Sequence, residues 1–213
     1  LVFSSVANYD PDPCVSKEYE REIPRRGMAG KMNSVLYIIL IGYGVIVTLM
    51  FLFQRSLIYF PSSHRPEPAD YYVSEMVVQE LETSDGLELL AWYRAPQKSD
   101  APLIVYFHGN AGHIGYRGLK IRPYLDAGYG VLLPSWRGYS GNAGMPSEEG
   151  LYADGRAALA FLVEQGIASD HWVLYGESIG SGVAVELARA QAQKESPVGA
   201  VVLESPFTSL EDM

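Results

Sequence analysis

The sequence predicts an α/β protein in which a doubly wound, mostly parallel sheet follows one membrane-spanning helix. Three observations predict it. Residues 35–53 form an apolar run without a charged side chain. Residues 103–107, 131–134, 172–175 and 200–203 are near-continuous apolar runs, the pattern of parallel strands covered on both faces. Stretches with helical spacing lie between these runs. Strands alternating with helices imply right-handed crossovers, with ligands expected at the carboxyl ends of the strands.

Residues 1–33 are polar, proline-containing and aperiodic, and are read as a disordered or non-native tail. The chain opens on Leu1, and Met28 and Met32 both stand just before the apolar run, which leaves the start of translation open. Residues 34–53 are read as a transmembrane helix. A helix over 35–53 is about 28 Å long, close to the hydrocarbon thickness of a bilayer. It is apolar on every face, unlike an amphipathic core helix, and it ends without a small-residue cleavage pattern, unlike a signal peptide. The expected location is therefore a single-pass membrane anchor. Lys17, Arg21, Arg25, Arg26 and Lys31 precede the helix and Arg55 and Arg65 follow it, so the side on which the domain lies depends on whether the first 31 residues are translated.

Residues 54–70 are proline-rich and read as a linker, with a soluble domain over 71–213. In that domain residues 76–83 and 87–94 flank the turn signal Ser84-Asp85-Gly86, which predicts an antiparallel hairpin. Residues 147–165 carry Leu151, Ala158, Leu159, Leu162 and Val163 at helical spacing behind Ser147, which predicts a helix. Six strands are expected in all.

A net charge of −9 with no cluster of lysine and arginine excludes nucleic acid as a partner, because phosphate binding needs concentrated positive charge. Cys14 is the only cysteine, which excludes an intrachain disulfide and a cysteine-rich zinc site, and no metal or cofactor motif appears. The partners expected are a small-molecule or acylated substrate and the lipid bilayer.

The chemistry concentrates in Gly176-Glu177-Ser178-Ile179-Gly180, a G-x-S-x-G pattern that follows an apolar strand at once and precedes a helix-compatible run. Glycines two before and two after relieve the crowding of a sharp strand-to-helix turn, and the turn exposes the Ser178 hydroxyl. Ser178 is the expected nucleophile. Gly182, one helical turn on, is read as the residue that lets the helix pack closely on the sheet. An attacking hydroxyl needs a base for its proton and donors for the oxyanion that develops. The strand at 103–107 runs into His108-Gly109-Asn110, at the edge where an oxyanion donor belongs, so Asn110 and Ile179 are the expected pair of backbone donors. His108 is read as shaping its turn, His113 as a helix-start or solvent residue, and His64 and His171 as loop residues. Asp154 is read as a solvated face of its helix, and Arg137 as binding an anion or the carbonyls of its own loop.

With these residues in place, the chain resembles the membrane-anchored branch of the α/β-hydrolase superfamily, the serine aminopeptidase-like esterases and the α/β-hydrolase domain proteins. The resemblance covers residues 54–213. It rests on Q-R-S-L-I-Y-F-P, V-Y-F-H-G-N-A-G, W-R-G-Y-S-G-N-A-G-M-P-S-E-E-G-L-Y-A-D, L-Y-G-E-S-I-G-S-G-V-A and L-E-S-P-F-T-S-L-E-D-M, in the family's order. It implies an α/β-hydrolase fold with Ser178 as nucleophile and Asn110 and Ile179 as oxyanion donors. It further implies cleavage of esters or thioesters, with acyl-protein thioesterase as the narrower reading; a serine peptidase, or a non-catalytic membrane-bound binding protein of the same fold, are the alternatives. The sequence departs from the family at Ser135, where relatives usually carry aspartate. In this fold the triad runs serine, acid, histidine along the chain, yet no histidine follows Ser178 and Asp212 is the only aspartate after it. The acid and the histidine are expected beyond Met213, with a sheet incomplete at its C-terminal end and the 213-residue chain itself inactive.

Overall fold

The computed structural model describes residues 26–206; most of the expected N-terminal tail, and Asp212, lie outside them. A single helix, α1, spans Arg26–Ile58. Within it Asn33–Gln54 is long and apolar enough to cross a membrane, and its residues are exposed. In that stretch the Thr48 hydroxyl donates to the Gly44 carbonyl one turn back at 2.7 Å. The chain divides into two compact units between Leu52 and Phe53. The second begins with the last turns of α1, so the segment read as a linker starts as helix. It continues into a short strand, β1 (Phe60–Pro61), and a 3₁₀ turn at Pro68–Tyr71.

The rest of the second unit follows in the order β2 (Val77–Glu82), β3 (Glu88–Arg94), β4 (Leu103–Phe107), β5 (Ala111–Gly112), α2 (Gly118–Asp126), β6 (Gly130–Pro134), α3 (Glu148–Glu164), β7 (Trp172–Glu177), α4 (Ile179–Gln193) and β8 (Ala200–Glu204). Six strands form the main sheet in the order β2-β3-β6-β4-β7-β8. The hairpin around Ser84-Asp85-Gly86 pairs from Val77 with Tyr93 to Glu82 with Glu88, and Gly86 supplies the turn's left-handed residue at φ +82°. β3 meets β6 antiparallel, while β6, β4, β7 and β8 run parallel. The fold is therefore a mostly parallel α/β sheet with an antiparallel entry, as the apolar runs and the hairpin signal predict. β1 and β5 form a separate two-stranded parallel pair, Phe60 with Ala111 and Pro61 with Gly112, for which the sequence pattern gave no signal.

Helices cover both faces. In β4, Leu103, Val105 and Phe107 join one apolar layer with Leu151 and Leu162 of α3 and Val183 and Leu187 of α4. Ile104 and Tyr106, pointing the other way, join Ile121 and Leu125 of α2. All five β4 residues are buried, which places this strand and its carboxyl end at the centre of the domain. The α3–α4 contact is tight at Gly155, where a Cβ would come within 2.7 Å of both Leu187 and Val183. At Gly182 the expectation fails: that residue is exposed, and a Cβ there would meet nothing within 4 Å among the described residues. The close approach of α4 to the sheet belongs to Gly180 instead, whose Cβ would lie 2.1 Å from the Phe107 carbonyl oxygen.

Helix α3 starts as its sequence predicts, with the Ser147 hydroxyl accepting the Gly150 N–H at 3.2 Å and Glu148 and Glu149 in the first turn. Asp154 departs from its expected solvated position: it is fully buried. The reason is Arg137, whose Nε donates to Asp154 at 2.8 Å while its backbone N–H donates to the second carboxylate oxygen at 2.9 Å. Arg137 also donates to Asp85 of the hairpin turn at 2.7 and 3.1 Å. The anionic groups it binds are thus two carboxylates of the chain itself rather than the carbonyls of its own loop, and it ties the hairpin, the loop after β6 and α3 together. Breaking such a buried pair by removing one partner costs about 3–5 kcal/mol, since the other charge is left uncompensated.

Candidate active site

Strand β7 delivers Ser178 into a turn that only its flanking glycines permit. Ser178 adopts φ +51°, ψ −116°, a region that side-chain-bearing residues avoid at a cost of about 1–3 kcal/mol. At Gly176 a Cβ would meet the Gly180 carbonyl and the Ser181 backbone at 2.5 Å, and at Gly180 it would meet Phe107. Both collisions are with backbone, which cannot swing away. The turn is further pinned by hydrogen bonds: the Ser178 N–H donates to the Glu204 carbonyl of β8 at 2.9 Å, and the Ser178 carbonyl accepts the Ser181 N–H at 2.8 Å and the Ser181 hydroxyl. Ile179 opens α4, so its N–H is one of the helix-start donors without an intrahelical acceptor, at the positive end of the helix dipole.

The loop after β4 sits beside this turn because β4 and β7 are paired in parallel, with Phe107 opposite Gly176. A Cβ at Gly109 would lie 3.0 Å from the Glu177 carboxylate, so the two loops are in contact. His108 is fully buried and both ring nitrogens are engaged: Nδ1–H donates to the Gly109 carbonyl at 2.8 Å and Nε2 accepts the Trp136 N–H at 3.4 Å. Burial first, then the nearby Arg117 charge, pull its pKa down to about 3, so the ring is neutral and shapes the loop. His113 caps the short 3₁₀ helix Ile114–Arg117 but is buried among Tyr71, Tyr116 and His64 rather than solvated.

Asn110 is held on all sides. Its side-chain carbonyl accepts the Tyr139 hydroxyl at 2.9 Å and the Phe60 N–H at 3.3 Å, its amide nitrogen donates to the Ile58 carbonyl, and its backbone carbonyl accepts the same Tyr139 hydroxyl at 2.7 Å. Among the described residues no hydrogen bond uses its backbone N–H. The sequence marked Asn110 but not the residues that hold it.

A second group was also missed. Glu177 lies between Gly176 and Ser178 in the turn and is gripped by Arg117, whose Nε and second guanidinium nitrogen donate at 3.1 and 3.2 Å. Tyr106 donates to the same carboxylate at 2.9 Å, and Lys120 approaches it at 3.6 Å. Burial alone would raise the carboxyl pKa; the Arg117 contacts, with Tyr106 and Lys120, outweigh it and hold Glu177 below the ordinary carboxylate range. Arg117 also donates to the Ala111 carbonyl at 2.8 Å, so one guanidinium joins the loop of Asn110 to the turn of Ser178. Only Glu177 carried a local signal, as the variable residue of a motif; Arg117 lies sixty positions away in sequence. Where the resemblance leads one to expect aspartate, the buried Ser135 donates to the Ser140 hydroxyl at 2.7 Å, and that oxygen accepts the Ile114 N–H at 3.3 Å. Among the described residues no group of three or more histidine, cysteine, aspartate or glutamate side chains is placed to hold a metal.

The family model for the alpha/beta hydrolase fold matches residues 102–213. Protein bem46 of Schizosaccharomyces pombe is 34% identical over 87% of this chain and 67% of its own length. The lysophosphatidylserine lipase ABHD12 of Danio rerio is 28% identical over 95% of this chain and 61% of its own length. The chain thus spans about two thirds of these curated relatives. A crystal structure of an alpha-beta hydrolase from Vibrio vulnificus superposes with a TM-score of 0.60 at 27% identity, over 69% of this chain and 54% of that one. With its mostly parallel sheet, its strained serine turn and these matches, the chain belongs to the α/β hydrolase fold family.

Proposed function

We propose that the protein is a single-pass membrane-anchored serine hydrolase that cleaves ester or thioester bonds through an acyl-enzyme on Ser178. The observation that carries this is the strained Ser178 backbone, φ +51°, held between two glycines at which any side chain would strike backbone. Strain of this kind persists where the surroundings enforce it, as at the exposed serine of a strand-to-helix elbow. Ser178 Oγ attacks the acyl carbonyl and gives its proton to a general base, while the N–H groups of Asn110 and Ile179 bind the oxyanion. Collapse of the tetrahedral intermediate expels the alcohol or thiol, which takes up that proton. Water then attacks the acyl-enzyme by the same route and releases the acid. In this fold the base is a histidine, oriented by an acid, that lies after the serine in the chain, and no histidine follows Ser178 in this sequence. His108 is unsuited to that role, because both of its nitrogens are used and it is buried.

The charge-free span Asn33–Gln54 and the name borne by one relative, a lysophosphatidylserine lipase, favour an acyl-bearing amphiphile as substrate. The test is covalent labelling of the full-length protein by a fluorophosphonate. The expected result is labelling that disappears in Ser178→Ala; undiminished labelling of that variant would place the nucleophile elsewhere.

A further inference from the structure

The side chain of Asn110 does something that the oxyanion role does not require. Its amide nitrogen donates to the carbonyl of Ile58, the last residue of α1, and its amide oxygen accepts the N–H of Phe60, the first residue of β1. An amide that donates to the residue before and accepts from the residue after Tyr59 grips the chain at the point where the helix ends and the extended segment begins. The grip continues outward. Phe60 and Pro61 pair with Ala111 and Gly112, and the Ser62 N–H donates to the Gly112 carbonyl at 3.0 Å. The segment leaving the helix, residues 58–62, is thus laid along three residues of the proposed oxyanion loop, 110–112.

Chain geometry brings the membrane close to this joint. Gln54 ends the apolar span, and Ile58 lies four residues further in the same helix, a rise of about 6 Å. Tyr139 completes the joint from the other side. Its ring is buried, and its hydroxyl donates to both the side-chain and backbone oxygens of Asn110. Every polar atom of Asn110 except the backbone N–H is therefore committed to holding the anchor exit or the loop after β6.

We infer, on the strength of the proposed oxyanion role of Asn110, that the exit of the membrane helix is part of the active site's positioning machinery: Asn110 joins residues 58–62 to the oxyanion loop through its side chain and presents its N–H to substrate. Three consequences follow from that geometry. The oxyanion donor is set by a contact with the anchor, so loosening the anchor exit loosens the site. The site is tethered within a few residues of the bilayer surface, which suits substrates whose acyl chain remains in lipid. And Asn110 and Tyr139 act as positioning side chains, distinct from the N–H that touches substrate.

The experiment uses the full-length protein in phosphatidylcholine vesicles and measures two quantities on each variant: the rate constant of fluorophosphonate labelling and the hydrogen-exchange rate of the Phe60 and Ser62 amides. Asn110→Ala keeps the backbone N–H and deletes the grip, and Tyr139→Phe removes one hydroxyl from it. Loss of one such orienting hydrogen bond is expected to slow labelling about tenfold, with faster exchange at Phe60 and Ser62 in Asn110→Ala. With a chromogenic ester the loss should appear in kcat and leave KM nearly unchanged, which a general weakening of the fold would not produce. If Asn110→Ala does not fold, Tyr139→Phe carries the test alone. Unchanged labelling in the folded variants, or slowed labelling of Asn110→Ala with no change in its Phe60 and Ser62 exchange, overturns the joint. Undiminished labelling of Ser178→Ala in the same series would overturn the hydrolase assignment beneath it, so the two failures are told apart.

Discussion

The two loops that build the candidate site are fixed by opposite means. The turn of Ser178 is fixed locally, by strain: a positive φ at the serine and glycines at 176 and 180 pressed against backbone within a few residues or across one strand pair. The loop of Asn110 is fixed remotely, by a hydrogen bond donated to the Ile58 carbonyl and by others accepted from Phe60, Tyr139 and Arg117, with a buried neutral His108 next to Asn110's neighbour Gly109. A loop held by strain carries its instructions in its own sequence. One held by distant partners carries them in residues that no short motif contains.

Substitutions at the two loops should therefore behave differently. The largest effect falls where they meet. Gly180→Ala drives a methyl against the Phe107 carbonyl of β4 and is expected to cost about 3 kcal/mol or more, whereas Gly182→Ala on the open face of the same helix should be neutral or stabilising by up to about 1 kcal/mol. Denaturant unfolding of the pair measures this; equal stabilities would mean that the strand and helix do not approach as described.

The next effect belongs to the Asn110 loop. Burial, with Arg117 nearby, holds the folded His108 pKa at about 3, below the ordinary value of about 6.5, so the unfolded chain binds the extra proton as pH falls. This contribution to stability is present above pH 6.5 and is lost progressively on the way down towards pH 3. Between pH 7 and pH 5 the loss is about 2 kcal/mol, with buried His113 acting in the same direction. Unfolding free energies measured across that window should slope downward with acid, and a flat profile would remove the buried neutral imidazole from beneath the loop.

The smallest effect has the opposite sign and belongs to the turn. Ser178→Gly removes the side chain from a φ of +51° and should stabilise the domain by about 1 kcal/mol while abolishing covalent labelling. Thermal unfolding checks it. A destabilised glycine variant would show that Ser178 is not strained.

This contrast explains what the sequence disclosed. The elements that depend on local pattern were legible: the hairpin at Ser84-Asp85-Gly86, the buried strands, the Ser147 cap and the glycine-flanked Ser178 all stand where their spacing puts them. Asn110 could be named because it follows a strand, but its grip on Ile58 and Phe60 could not, since those residues lie 50 or more positions away. Asp154 failed for the same reason. Its place on α3 gave no sign that Arg137 would draw it inward. Gly182 failed because a glycine can mark close packing or mere open space, and only the distance to a neighbour distinguishes them.

The measurement that bears most directly on Ser178 is the location of the covalent adduct. Full-length protein treated with a fluorophosphonate, digested and mapped by mass spectrometry should carry the phosphonyl group on the peptide containing Gly176-Glu177-Ser178-Ile179-Gly180, at the serine at 178 and not at Ser181 or Ser205. An adduct confined to any other residue, or none on a folded and membrane-embedded protein, would contradict the assignment of Ser178 as the nucleophile.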